Sequence, residues 1–130
     1  MRFTLLAFVA AAAVSGCGST PPQTSQEKVA GWPELRVFEH YVPHVEMQGR
    51  CARYVVRYGG RPLACAEFNF SEGRCDIWYS RELGAQPELV QHERLHCAGH
   101  DHPGEYEMAR MYENWKRRRL QAFSARLTPD

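Results

Sequence analysis

No stretch of this 130-residue chain is apolar for long enough to cross a bilayer as a helix. The longest apolar run, Phe3 to Val14, falls well short of the ~20 residues that a span needs. An excess of one charge is missing too. Lysine and arginine number 16 against 15 aspartate and glutamate, a formal net charge of +1. That balance calls for neither a nucleic-acid partner nor an anionic lipid surface. No segment repeats, which excludes a solenoid or other array. Large apolar residues are scarce from Gly18 to about Ala30, a stretch rich in Ser, Thr, Pro and Gln. Such a segment reads as a flexible tether, not as part of a core. About a hundred residues remain from Trp32 onward, enough for one modest core.

Histidine, by contrast, is concentrated. Four of the six histidines lie between His92 and His102, in the sequence HERLHCAGHDH. On a helix, His92 and His96 are about 40° apart in azimuth and about 6 Å apart along the axis. Both imidazoles can converge on one metal ion. Glu93 points about 100° away, placed to touch a water on that ion more readily than the ion itself. Gly99 allows the left-handed backbone that ends a helix and turns the chain. His102 can then return toward the same ion. His100 or Asp101 takes that third position if the turn is tighter, and Asp101 otherwise orients a histidine or caps the next helix. His40 and His44, far upstream on a strand and a loop, read as structural.

The pattern HExxHxxGxxH resembles the metzincin form of the zinc metallopeptidase motif. The resemblance covers eleven residues. It implies Zn²⁺ bound by His92, His96 and His102, with Glu93 as general base. It also implies a peptide or protein substrate lying along a sheet edge, supplied in zincins by the strand before the zinc helix, here Cys75 to Tyr79. The chain departs from the family in two respects. Metzincins carry a methionine in a tight turn beneath the metal, whereas Met108 and Met111 fall in a helical pattern, and metzincin domains are usually longer. A glutamate ligand from the second helix (Glu105, Glu107 or Glu113) would instead resemble the gluzincins. Tyr106 or Tyr112 is a candidate for stabilising an oxyanion. The expected fold is α+β: a minimal zincin-like unit with a small, mainly antiparallel sheet, an HExxH helix and a C-terminal helix.

Residues 1–16 have the architecture of an export signal, with Arg2 ahead of the apolar run. The run ends Val14-Ser15-Gly16-Cys17, which resembles a bacterial lipobox. That resemblance implies cleavage before Cys17, lipid on its sulfur, and an anchored chain with no polypeptide inside the membrane. No Asp follows Cys17, which in Gram-negative lipoproteins implies the periplasmic face of the outer membrane. Loss of residues 1–16 removes Arg2 alone among the charges and leaves 15 basic and 15 acidic side chains. The expected organisation is a signal over 1–16, a lipidated cysteine and tether over 17–31, and a metallopeptidase domain over 32–130.

Four strands are expected: Leu35–Val42, Ala52–Tyr58, Leu63–Phe70 and Cys75–Tyr79. Gly59-Gly60 and Ser71-Glu72-Gly73 supply turns, so two successive hairpins should form an antiparallel meander. Proline at the first helical position starts the histidine helix at Pro87 or Glu88, with Leu89, Val90, Leu95 and Ala98 as its packing surface. A second helix should run from Pro103 or Gly104 to Leu127. Its stripe of Met108, Tyr112, Trp115, Leu120, Phe123 and Leu127 is expected in the core. Lys116-Arg117-Arg118-Arg119 reads as a solvated face whose arginine stems cover apolar surface.

Besides Cys17 there are four cysteines, an even number that suits two disulfides in an oxidising compartment. Four allow three connectivities, and sequence does not choose among them. The pairing favoured is Cys51–Cys65 with Cys75–Cys97, the second stapling the last strand to the histidine helix. Cys97 itself lies about 140° from His92 around the helix and points away from the metal. The function expected is zinc-dependent peptide hydrolysis at the cell envelope. The alternative is an envelope lipoprotein that binds zinc, or a partner, without catalysis. Nothing in the pattern specifies an oligomeric state.

Overall fold

The computed structural model describes residues 27–53 and 61–127. Strand β1 is Glu27–Lys28, β2 Arg36–Val42, β3 Ala64–Asn69, β4 Arg74–Ser80 and β5 His100–Asp101. The helices are α1 His44–Arg50, α2 Pro87–Cys97 and α3 Glu107–Leu127. The export signal, Cys17 and residues 54–60 lie outside the described residues.

Strand β4 is the middle of the sheet, and its alternation divides the domain. Cys75, Ile77 and Tyr79 point to one face and are fully buried. Ala64 and Ala66 of β3 stand beside Tyr79 and Ile77, and Leu35, Cys97, Leu89 and Val90 complete that core beneath α2. Trp78 points to the other face, where Met47, Cys51 and Cys65 form a smaller cluster under α1. Each layer carries one disulfide, Cys51–Cys65 and Cys75–Cys97, both with Cα atoms 5.7 Å apart. That is the pairing favoured from the sequence.

Several expectations need correction. The β3–β4 hairpin is antiparallel, as expected, whereas β2 runs parallel to β4, and the turn of the other expected hairpin lies outside the described residues. A parallel partner needs a crossover connection. Part of it is α1, a helix where a loop is expected around His44. Pro43 precedes this helix, and Glu46 and Arg50 pair along it at 3.2 Å. Ala52 and Arg53, assigned to a strand, are helical, and the rest of that assignment lies outside the described residues. Glu27 and Lys28, assigned to the tether, pair with Asp101 and His100 in a two-stranded ribbon.

Helix α3 begins at Glu107, later than expected. The cause is the turn at Pro103-Gly104, where Gly104 has φ +74° and the Glu105 amide donates to the His102 carbonyl at 3.0 Å. Its stripe is only half right. Met108 is buried, and Tyr112 and Trp115 join Trp32 and Phe70 in an aromatic cluster. Leu120 and Phe123 are exposed, on a stretch of the helix that no described element covers. Ala98 is exposed as well, in the turn that follows α2.

Candidate metal centre

Helix α2 starts on proline and carries Glu88 in its first turn, which suits the positive end of a helix. It ends on Ala98 and Gly99. Gly99 has φ +92°, and an added Cβ would sit 2.4 Å from Cγ of Trp32. Only glycine satisfies both the backbone and the contact. Trp32 in turn donates its indole N–H to the Cys97 carbonyl at 3.0 Å, and the Val29 amide donates to the Gly99 carbonyl at 2.8 Å. These bonds satisfy carbonyls that a helix end leaves unpaired.

This turn brings His102 back to the helix. Nε2 of His92 lies 3.1 Å from Nε2 of His96 and 3.3 Å from Nε2 of His102. Tetrahedral zinc with Zn–N bonds of about 2.0–2.1 Å separates neighbouring ligand nitrogens by roughly 3.3–3.4 Å. The three histidines expected from the sequence therefore have the spacing of a metal site.

Tautomers support the same conclusion. His96 Nδ1 lies 2.7 Å from the His100 carbonyl, which can only accept, so Nδ1 carries the proton. His102 Nδ1 donates to Glu105 Oε2 at 3.2 Å. In each neutral ring the lone pair is then on Nε2, facing the others. A proton on His92 Nε2 could be shared with only one of the two lone pairs, whereas a cation takes all three. Burial, with the neighbouring His92, lowers the His96 pKa to about 4, so its ring is neutral near pH 7. Burial and the nearby His102 lower that of His92.

Glu93 is buried beside the cluster, and burial raises its pKa to about 7. A carboxyl that titrates near neutrality suits general acid–base work. It opens, with the three histidines, on a cleft of about 490 Å³. Ala64, Ala66 and Phe68 of β3 form one wall, and Met108 and Met111 of α3 form another.

The remaining candidates fall as follows. Asp101 is buried; its Oδ1 accepts from the His102 amide and its Oδ2 from the Met108 amide, each at 2.9 Å. It holds the turn and caps α3. His100 contributes its carbonyl to His96. Glu105 supports His102, and Glu107 lines the cleft rim. Glu113 pairs with Lys116 at 2.6 Å. Both methionines reach the cleft from a helix. Tyr112 is in the aromatic cluster and Tyr106 is 62 % exposed; neither lines the cleft. His40 bonds Asp76 at 2.6 Å and stacks on Trp78, on the far face of the sheet. Cys97 is in a disulfide and takes no part.

One expectation about the cleft is overturned. Strand β4 is hydrogen-bonded on both sides, by β2 and β3, and offers no edge to a peptide. Among the described residues the edge beside the histidines is β3. No local pattern marks β3 as the edge, and nothing local connects Trp32 to Gly99 sixty-seven positions away.

Fold and site together define an α+β domain with a three-histidine candidate metal centre beside a buried glutamate. Comparison of the chain with protein-family models, curated proteins and solved structures returns no match.

Proposed function

We propose that this protein is a zinc-dependent peptidase with a metzincin-like centre. The observation that carries the reading is the convergence of three imidazole nitrogens next to a buried, near-neutral carboxyl. His92, His96 and His102 would hold the ion. Bound there, Zn²⁺ supplies an acidified water and a Lewis acid for the scissile carbonyl.

The chain's own residues do the rest. Glu93 accepts a proton at its carboxylate and returns it to the leaving amine. Burial supports the second half of that cycle, since it favours the protonated carboxyl that hands its proton on. Glu105 and the His100 carbonyl hold two imidazoles in the ligating tautomer. Strand β3 offers a peptide backbone an antiparallel partner, and the Phe68, Met108 and Met111 side chains exclude water around it.

Location is part of the reading. No helix among the described residues is long and apolar enough to cross a membrane. Two disulfides favour an oxidising compartment. A lipid on Cys17 would place the domain at the envelope, and Cys17→Ser should abolish incorporation of a labelled fatty acid into the chain.

The test is elemental analysis beside cleavage of a mixed peptide library. The expected result is one zinc per chain, lost in His92→Ala and His96→Ala but retained in Glu93→Gln, with hydrolysis absent from all three. Zinc loss in Glu93→Gln as complete as in His96→Ala would make Glu93 a ligand and this mechanism wrong. Zinc without cleavage would favour a zinc-binding envelope protein instead.

A further inference from the structure

Helix α3 has two unlike halves. Its first half packs on the domain through Met108, Met111, Tyr112 and Trp115. From Arg117 to Arg126 every residue is exposed. Leu120 and Phe123 are 68 % and 63 % exposed, and no described element covers them. The stretch from Asn114 to Leu127 contains Lys116, Arg117, Arg118, Arg119 and Arg126 and no acidic residue.

The arrangement is directional. At 100° per residue, Lys116, Leu120 and Phe123 fall within about 60° of arc. Arg117 flanks Leu120 at about 60°, and Arg119 flanks Phe123 at about 40° on the other side. The cationic side chains do not lie over the apolar pair. Lys116 bonds Glu113 and sits 4.7 Å from the Tyr112 ring centroid. Arg117 bonds Asn114, and Arg119 lies 5.4 Å from the Trp115 centroid.

We propose that the second half of α3 docks on a phospholipid bilayer bearing anionic headgroups. Leu120 and Phe123 enter the boundary between headgroups and acyl chains, and Lys116, Arg117 and Arg119 occupy the headgroup layer. Charge decides between this and other occupants. A second copy would set the same cations against each other. Two large apolar side chains are also far less than the ~800 Å² per partner of a stable protein interface, yet they suffice to supplement electrostatic binding at a bilayer.

Geometry agrees with such a seat. Phe123 lies twelve residues, about 18 Å along the helix, beyond Met111, the last residue of α3 that lines the cleft. The described chain starts at Glu27, paired with Asp101, whose carboxylate caps α3. The ten residues from Cys17 to Glu27 reach at most about 35 Å, comparable to the ~31 Å length of the helix. A lipid on Cys17 would therefore let α3 lie on the same membrane, although the proposal stands without it.

The experiment uses the full chain carrying Cys17→Ser and vesicle flotation. Vesicles of phosphatidylcholine with phosphatidylglycerol are compared with phosphatidylcholine alone. Binding is expected to the anionic vesicles and to weaken as salt is raised. Arg117→Gln with Arg119→Gln should lower partition by roughly 25-fold. Leu120→Ser with Phe123→Ser should lower it by about tenfold or more. All four positions are exposed, and an unchanged thermal midpoint verifies that each variant folds. Binding by the apolar run at Phe3–Val14 is read on phosphatidylcholine alone and subtracted for every chain. Equal binding to both vesicle types, or variants that bind like the parent, would overturn the proposal. So would a dimer lost in these variants without vesicle binding, or capture by a soluble polyanion that ignores the apolar pair.

Discussion

A buried carboxyl is cheapest to keep neutral, and Glu93 pays for its burial with a pKa raised from 4.5 to about 7. Between those values the folded, metal-free chain keeps a proton that the unfolded chain has released. Stability from this group is therefore full below about pH 4.5 and declines as pH rises through about 7. His96 acts in the opposite sense. Its folded value of about 4 lies below the ordinary 6.5, so the unfolded chain binds the extra proton and stability rises with pH across that window. The two slopes offset each other in the parent. Glu93→Gln removes one of them. Metal-free Glu93→Gln should match the parent near pH 4 and exceed it by about 2–3 kcal/mol near pH 8. Urea denaturation of chelator-treated protein at three pH values checks this, and parallel profiles for the two chains would count against it.

Glu105 allows a second expectation at the same scale. It touches His102 and is no ligand in the proposed site, so Glu105→Ala should weaken zinc binding by roughly 10–100-fold without abolishing it. Competition against a chelator of known affinity measures the difference. These two glutamates also show what was legible. Glu93 and the three histidines lie within eleven residues, where helical periodicity and one glycine set the geometry. Glu105 as a support for His102 depends on how the Pro103-Gly104 turn folds back, which spacing alone does not specify. Asp101 is intermediate: its carboxylate was a candidate cap, and the structure shows which amides it receives.

At the level of elements, the decisive piece is the turn joining α2 to β5. Gly99→Ala places a side chain on a left-handed backbone and drives Cβ into the Trp32 ring. Backbone or Trp32 must move, and His102 moves with the turn. The variant should lose about 2 kcal/mol or more of stability and also bind zinc more weakly. Thermal melts with and without the metal separate the two effects; a variant with normal zinc affinity would uncouple the turn from the site. The glycine was legible because a helix must end before the third histidine. Its second constraint was not, because Trp32 arrives from the other end of the domain. The same limit explains the sheet. The β3–β4 hairpin could be read from alternation and a short turn. The parallel placement of β2 depends on a crossover that leaves no local signature, and so the strand named as a substrate edge is the central one.

For the molecule as a whole, the sheet separates two layers whose staples should behave differently. Cys51–Cys65 ties the α1 side of the sheet and touches neither α2 nor the turn that carries His102. Cys75–Cys97 joins the central strand to the last residue of α2, one position beyond His96. The closed loops span 14 and 22 residues, and chain entropy assigns each about 3 kcal/mol. Removing either pair as a double Cys→Ala variant should therefore lower stability by a similar amount. Zinc affinity should fall only when Cys75 and Cys97 are replaced, because only that staple fixes the helix that carries two of the ligands. Zinc binds the folded chain and stabilises it in proportion to the logarithm of its concentration over Kd. The shift in thermal midpoint on adding saturating zinc should then be preserved without Cys51–Cys65 and reduced without Cys75–Cys97. Equal reductions in both variants would mean that the two layers are coupled through β4, and that the metal reports on the stability of the whole domain instead of the order of one helix.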